Sequence, residues 1–186
     1  MSFSKALFTI ALLSTVSVWS QNVKVAVSLN PAGDFVAESK SVVGKATEDD
    51  KGTIEATDIK LDVKTLKTGI GLRDEHMVNK YLEAAKHPEI VMKLARGNNS
   101  KGQALLVIKG KQNKVSGTYE KVSTDKLKVS FELKLSDFDI KDISYKGIGV
   151  EDIVKVEALI PLAKKTAAAL PEAGKAKAAP VPAPKK

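Results

Sequence analysis

Cysteine is absent from the 186-residue chain, tryptophan occurs once, histidine twice, and aromatic residues make up only 5%. Without cysteine there is no disulfide, no thiolate nucleophile and no thiolate metal ligand. If the stretch between His76 and His87 is helical, the two histidines lie about 16 Å apart and cannot share one ion. Glu83 and His87, four residues apart, would supply two ligands where a zinc site takes three or four. The spacings G-x-S-x-G and H-E-x-x-H are also missing. Asp74, Glu75 and His76 would diverge by about 100° each on a helix, so they do not converge as a catalytic group. These absences argue against an enzyme and against a resident metal or cofactor.

Long hydrophobic runs are equally scarce. The most apolar stretch, Ala6 to Leu13, follows Lys5 and precedes small and polar residues, with Val18 and Ser20 placed for cleavage before Gln21. That is the layout of a secretory signal peptide over residues 1–20. It is too short for a membrane-spanning helix, which needs roughly 20 apolar residues, although an uncleaved anchor is the alternative reading.

The formal charge of +8 is unevenly placed. Residues 164–186 hold six lysines against the single Glu172, whereas "DIKLDVK" and "FELKLSDFDIKD" alternate basic with acidic residues. Alternation of this kind marks a solvated sheet face, not a phosphate-binding stripe, so nucleic acid is not an expected partner. The Ala/Pro/Lys-rich tail, 164–186, has no periodic apolar face and is expected to be disordered. Its charge favours at most a weak contact with an anionic membrane or cell-wall surface.

Residues 21–163 are expected to form one domain, and they alternate with period two. "NVKVAVSL" puts Val23, Val25, Val27 and Leu29 on one side. Ile59, Leu61 and Val63 share a side in "IKLDVK", as do Ile90, Met92 and Leu94 in "EIVMKLA". "KLKVSFELKL" directs Leu127, Val129, Phe131, Leu133 and Leu135 one way; "IVKVEALIPL" does the same with Val154, Val156, Ala158, Ile160 and Leu162. With the less regular "DFVAESKSV", "QALLVIKG" and "KVSGTYEKV", and turn residues between them, about eight strands result. A sheet wet on one face must bury the other, and closure also removes its edges. The expected fold is therefore all-β, an eight-stranded antiparallel β-barrel with one short helix after the third strand. A two-sheet sandwich is the rival.

The helix is expected in "RDEHMVNKYLEAAKHP". Asp74 suits its N-cap, Glu75 its first turn, and Lys80 and Lys86 its later turns. Met77, Val78, Tyr81, Leu82 and Ala85 would share its inner face, and Pro88 would stop it by disfavouring helical geometry at His87.

"GIGLRDEHMVNKYLEAAKHPEI" resembles the R-D-x-H segment, short helix and proline of the YceI-like family. "ALLVIKGKQNKVSG" and "FELKLSDFDIKDISYKGIGVEDIVKVEALIPL" are similar to that family's middle hairpin and closing pattern, in the same order, over about residues 23 to 163. The front, "VSLNPAGDFVAESKSVVGKATEDDKG", lacks the aromatic-rich strand often seen there. The resemblance implies a lipocalin-like barrel, exported to the periplasm, that holds a long apolar chain such as a polyisoprenoid, an isoprenoid quinone or a fatty amide.

On that reading the lining would come from Ile59, Leu61, Val63, Ile90, Met92, Leu94, Leu127, Val129, Phe131, Leu133, Val154, Val156, Ala158 and Ile160. Arg73, Asp74 and His76 would stand at a polar mouth, with a structural ion pair as the alternative role of Arg73. Periodicity alone fits a dry core equally well, and a scaffold for protein interactions or stress protection is the competing function. A hollow lumen separates the two.

Overall fold

A computed structural model describes residues 21–31, 33–145 and 147–165. The signal peptide assigned to residues 1–20 and the tail beyond Lys165 lie outside the described residues. The elements are β1 (Asn22–Asn30), β2 (Asp34–Ser39), β3 (Val42–Val43), β4 (Ala46–Glu48), β5 (Ile54–Asp62), α1 (Gly71–Glu75), β6 (Glu89–Asn98), β7 (Lys101–Ile108), β8 (Lys111–Ser123), β9 (Lys126–Lys134), β10 (Ser144–Tyr145) and β11 (Ile148–Lys164).

The strands close into a barrel, not a sandwich. Strand β11 is the seam: one edge pairs with β9, and the other pairs first with β1 and then with β4. At one end the hydrogen-bonded circuit is β11–β4–β5–β6–β7–β8–β9, seven strands. At the other end β1 and β2 intervene between β11 and β5, and β2 is latched to the segment after β5 by reciprocal Glu38–Lys67 backbone bonds of 2.8 and 2.9 Å. Counting the broken run β2–β3–β4 as one strand, eight strands surround this end, and α1 follows the third. Barrel diameter grows with strand number, so the barrel widens toward α1. One pairing departs from the antiparallel expectation: Leu162–Lys164 runs parallel to Ala46–Glu48. Pairing also carries β11 one residue past the expected boundary at residue 163, and Lys165 adds bonds to Glu48 and Glu55.

Inward alternation on β5 and β6 is interrupted midway. Asp58 adopts a left-handed conformation (φ 52°) opposite Lys93, and β6 holds one extra residue relative to β7 between Met92 and Leu94. A bulge of this kind reverses which face later residues occupy. The inner set on β5 therefore passes from Ile54 and Ala56 to Ile59 and Leu61, and on β6 from Ile90 and Met92 to Ala95 and Gly97.

The seven-stranded end is filled. Small residues face inward there, among them Ala46, Ala56, Ala95, Gly97, Ala104 and Gly117, and Tyr119 and Leu127 occupy the space they leave. A Cβ on Gly97 would lie 2.5 Å from the ring of Tyr119, so only glycine lets that ring lie against β6.

The helical segment differs from its expected form. It begins at Gly71 with Ile70 as N-cap and continues as a π-turn, His76–Tyr81, where the Leu82 N–H donates to the Met77 carbonyl. Glu83 is left-handed (φ 50°), so the helix ends well before Pro88. The wider π-turn shifts the phase: Ala84, not Ala85, is buried, against Val78 and Val63. Glu83 then accepts from Lys109 at 2.8 Å and Lys86 at 2.9 Å, tethering this segment to the β7–β8 turn. His87 packs over Gly110 in the same turn.

The Lys109 and Lys86 hydrogen bonds hold the Glu83 carboxyl at about 2, down from an ordinary 4.5. Because the folded value is depressed, the tether's stabilisation is complete above about pH 4.5 and is lost as pH falls through about 2. Replacing Lys109 with Met should move the Glu83 midpoint back toward 4.5 in a carboxyl NMR titration. An unmoved midpoint would show that Lys109 is not its cause.

Candidate functional site

The eight-stranded end is hollow. A cavity of about 480 Å³ runs between the strands and opens beneath α1, within the range of about 300–1,000 Å³ usual for ligand sites. Its wall is almost entirely hydrocarbon. β1 contributes Val23, Val25, Val27 and Leu29; β9 contributes Val129, Phe131 and Leu133; β11 contributes Val154, Val156, Ala158 and Ile160. Ile59, Leu61, Ile90 and Met92 complete the side formed by β5 and β6. Met92, Val129, Phe131 and Ile160 also border a second pocket of about 60 Å³ toward the filled end, so they form the neck of the cavity.

Three residues expected on the lining stand elsewhere. Leu94 is 49% exposed on the outer face, because the bulge at Asp58 and Lys93 turns it outward. Val63 would have continued the alternation of Ile59 and Leu61, but β5 stops at Asp62. The Asp62 carboxylate accepts from the Lys64 N–H and starts a 3₁₀ turn, which tucks Val63 under the helical segment with Val78 and Ala84. Leu127 is buried below the neck, beside the small pocket.

The mouth is built by the helical segment and by the hairpin between Ile143 and Ile148. Arg73 and His76 line the cavity here. The Arg73 guanidinium carbon lies 4.0 Å from the Phe35 ring centroid, and its Nη2 donates to the Thr68 carbonyl at 3.0 Å. His76 meets Tyr145 edge-on, ring centroids 6.0 Å apart. Asp74 is neither the helix N-cap nor a lining residue. Its Oδ1 accepts from the Thr68 N–H and hydroxyl at 2.7 and 2.6 Å, fixing the loop that leads into α1. Burial alone would raise its pKa, but the two Thr68 bonds, together with the Lys67 and Arg73 charges, hold the carboxyl below its ordinary value.

Several lining residues were not singled out from the sequence. Phe35 shares its face with Ala37 and Ser39 in "DFVAES", an alternation of the usual kind. Ile70, Leu72, Ile140, Ile143 and Tyr145 come from turns and short elements, where no periodicity exists to mark them, and Ile148 is the first residue of β11.

Two of the solved structures that share the fold illustrate the likeness. A polyisoprenoid binding domain from Saccharophagus degradans, implicated in plant cell wall breakdown, aligns with a TM-score of 0.54 at 12% identity, covering 75% of this chain and 91% of that one. BcnA of Burkholderia cenocepacia aligns with a TM-score of 0.58 at 17% identity, covering 74% and 94%. No curated protein sequence matches the chain. The sequence profile of the YceI-like domain matches residues 12–162, and with a tapered barrel, a hydrocarbon lumen and a helical segment over its mouth, the chain belongs to the YceI-like family.

Proposed function

We propose that this protein is an exported, periplasmic carrier that sequesters or shuttles an isoprenoid-type or other long-chain amphipathic lipid, its tail in the barrel and its polar end at the mouth. The observation that carries this reading is the hollow apolar lumen of about 480 Å³. An ordinary dry core would be packed to crystal-like density. Burying a chain there is favourable by roughly 0.8 kcal/mol per methylene-sized group, less the cost of ordering the ligand. Tail length and slenderness, not a polar contact, would then set most of the affinity. The polyisoprenoid-binding description of the Saccharophagus degradans relative supports the same class of ligand.

The role is binding rather than turnover, so His76→Ala should abolish no reaction. Native mass spectrometry of protein purified without detergent tests the reading: a nonpolar adduct of lipid mass is expected on a chain beginning at Gln21. Only bare protein, from a preparation never exposed to organic solvent, would contradict it.

A further inference from the structure

The mouth carries a guanidinium whose donors the fold leaves largely unused among the described residues. Arg73 has five N–H donors, and among the described residues only its Nη2 is used, on the Thr68 carbonyl. Its Nε is buried with no hydrogen-bond partner, and Phe35 covers one face of the guanidinium. Arg73 forms no ion pair among the described residues. Asp74, its neighbour in sequence, interacts with the Arg73 charge through space only, its Oδ1 being given to Thr68.

The described residues lining the cavity include no aspartate or glutamate. Its polar members are Lys60, Arg73, His76, Ser144 and the tyrosines 81 and 145. Lys60 is already neutralised by Glu89 at 3.1 Å. The unused donors therefore sit at the mouth, where the proposed amphiphile's polar end would rest. A partly buried cation with free donors costs desolvation unless an acceptor reaches it, and planar guanidinium matches carboxylate and phosphate oxygens in pairs.

We infer that the carried amphiphile has an anionic head group, a carboxylate or phosphate held by Arg73. This rests on the lipid-binding reading and narrows it. A neutral head meets the unused donors with ordinary hydrogen bonds, whereas an anion meets them with stronger charge-assisted ones and is preferred at equal chain length.

The test is displacement of the neutral fluorophore N-phenyl-1-naphthylamine from delipidated protein by four sixteen-carbon compounds: palmitate, hexadecyl phosphate, hexadecanol and palmitamide. The expected result is that one or both anions bind at least tenfold tighter than both neutral compounds. Comparing palmitate with hexadecyl phosphate then identifies the oxyanion. In Arg73→Gln, which removes the charge, the preference should fall to within threefold, with the melting temperature recorded as a check of folding. Equal binding of all four by the wild type, or a preference that survives in Arg73→Gln, would overturn the anionic assignment and leave lipid binding standing. Displacement by none of them would overturn the lipid-binding reading as well.

Discussion

Val129→Trp is expected to weaken binding of a long-chain lipid by about a hundredfold while leaving the barrel folded. Val129 borders both the main cavity and the small pocket below it, opposite Ala158 across the β9–β11 pair. An indole there would enter the neck and displace about four methylene-sized groups of a bound chain. At about 0.8 kcal/mol each, that removes about 3 kcal/mol, about a hundredfold in Kd. Overfilling a packed core costs typically 1–3 kcal/mol, but this side chain would grow into open volume. Its melting temperature should therefore stay within about 5 °C of wild type. Titration of delipidated protein, followed by thermal unfolding, checks both halves. Unchanged affinity would place the ligand somewhere other than the lumen.

Phe138→Ala should do the reverse, removing about 4 kcal/mol of stability while altering lipid affinity less than threefold. Phe138 is 1% exposed and belongs to the main core, yet it does not line the cavity. Above Gly117 the registered pairing of β8 with β9 stops, and the 3₁₀ turn Leu135–Phe138 packs against β8, β9 and β11 at this point. The turn is held by several bonds. Asn113 donates to the Asp137 carbonyl, Ser136 donates twice to Asp152, and Asp139 closes the turn in a left-handed conformation. With the backbone fixed in this way, the site cannot collapse around a missing ring, which is the condition for the upper part of the 3–5 kcal/mol range for Phe→Ala. A loss on the order of 10 °C in melting temperature follows for a domain of this size. A loss under about 2 °C would mean that the ring is not a structural plug.

Much of this was legible in the sequence, for identifiable reasons. Uninterrupted alternation placed Val129, Phe131 and Leu133, and Val154, Val156, Ala158 and Ile160, on one face, because a pleated strand has a strict period of two. The same rule misplaced Leu94, since a bulge at Asp58 and Lys93 carries no apolar signature and inverts the period beyond it. Val63 failed at a strand end, where Asp62 capped a turn instead of continuing the pleat. The helix was recognised from its apolar face, but its boundaries were not. Asp74 is equally suited to capping a helix and to bracing the preceding loop through Thr68, and a π-turn shifts the burial of Ala84 against Ala85 with no local signal. Arg73 and His76 were named for the mouth, and both line it. What no periodicity could reveal was whether the enclosed volume is empty, because volume depends on how many strands surround it at each level, and that follows from the long-range pairing of β11 with β1 and β4.

A crystal structure of protein purified without detergent would test lipid carriage most directly. Continuous tubular density is expected from beside Arg73 and His76 down between Val129 and Val156 to the neck at Met92 and Phe131. A lumen collapsed onto its own side chains, or occupied only by ordered water, would contradict it.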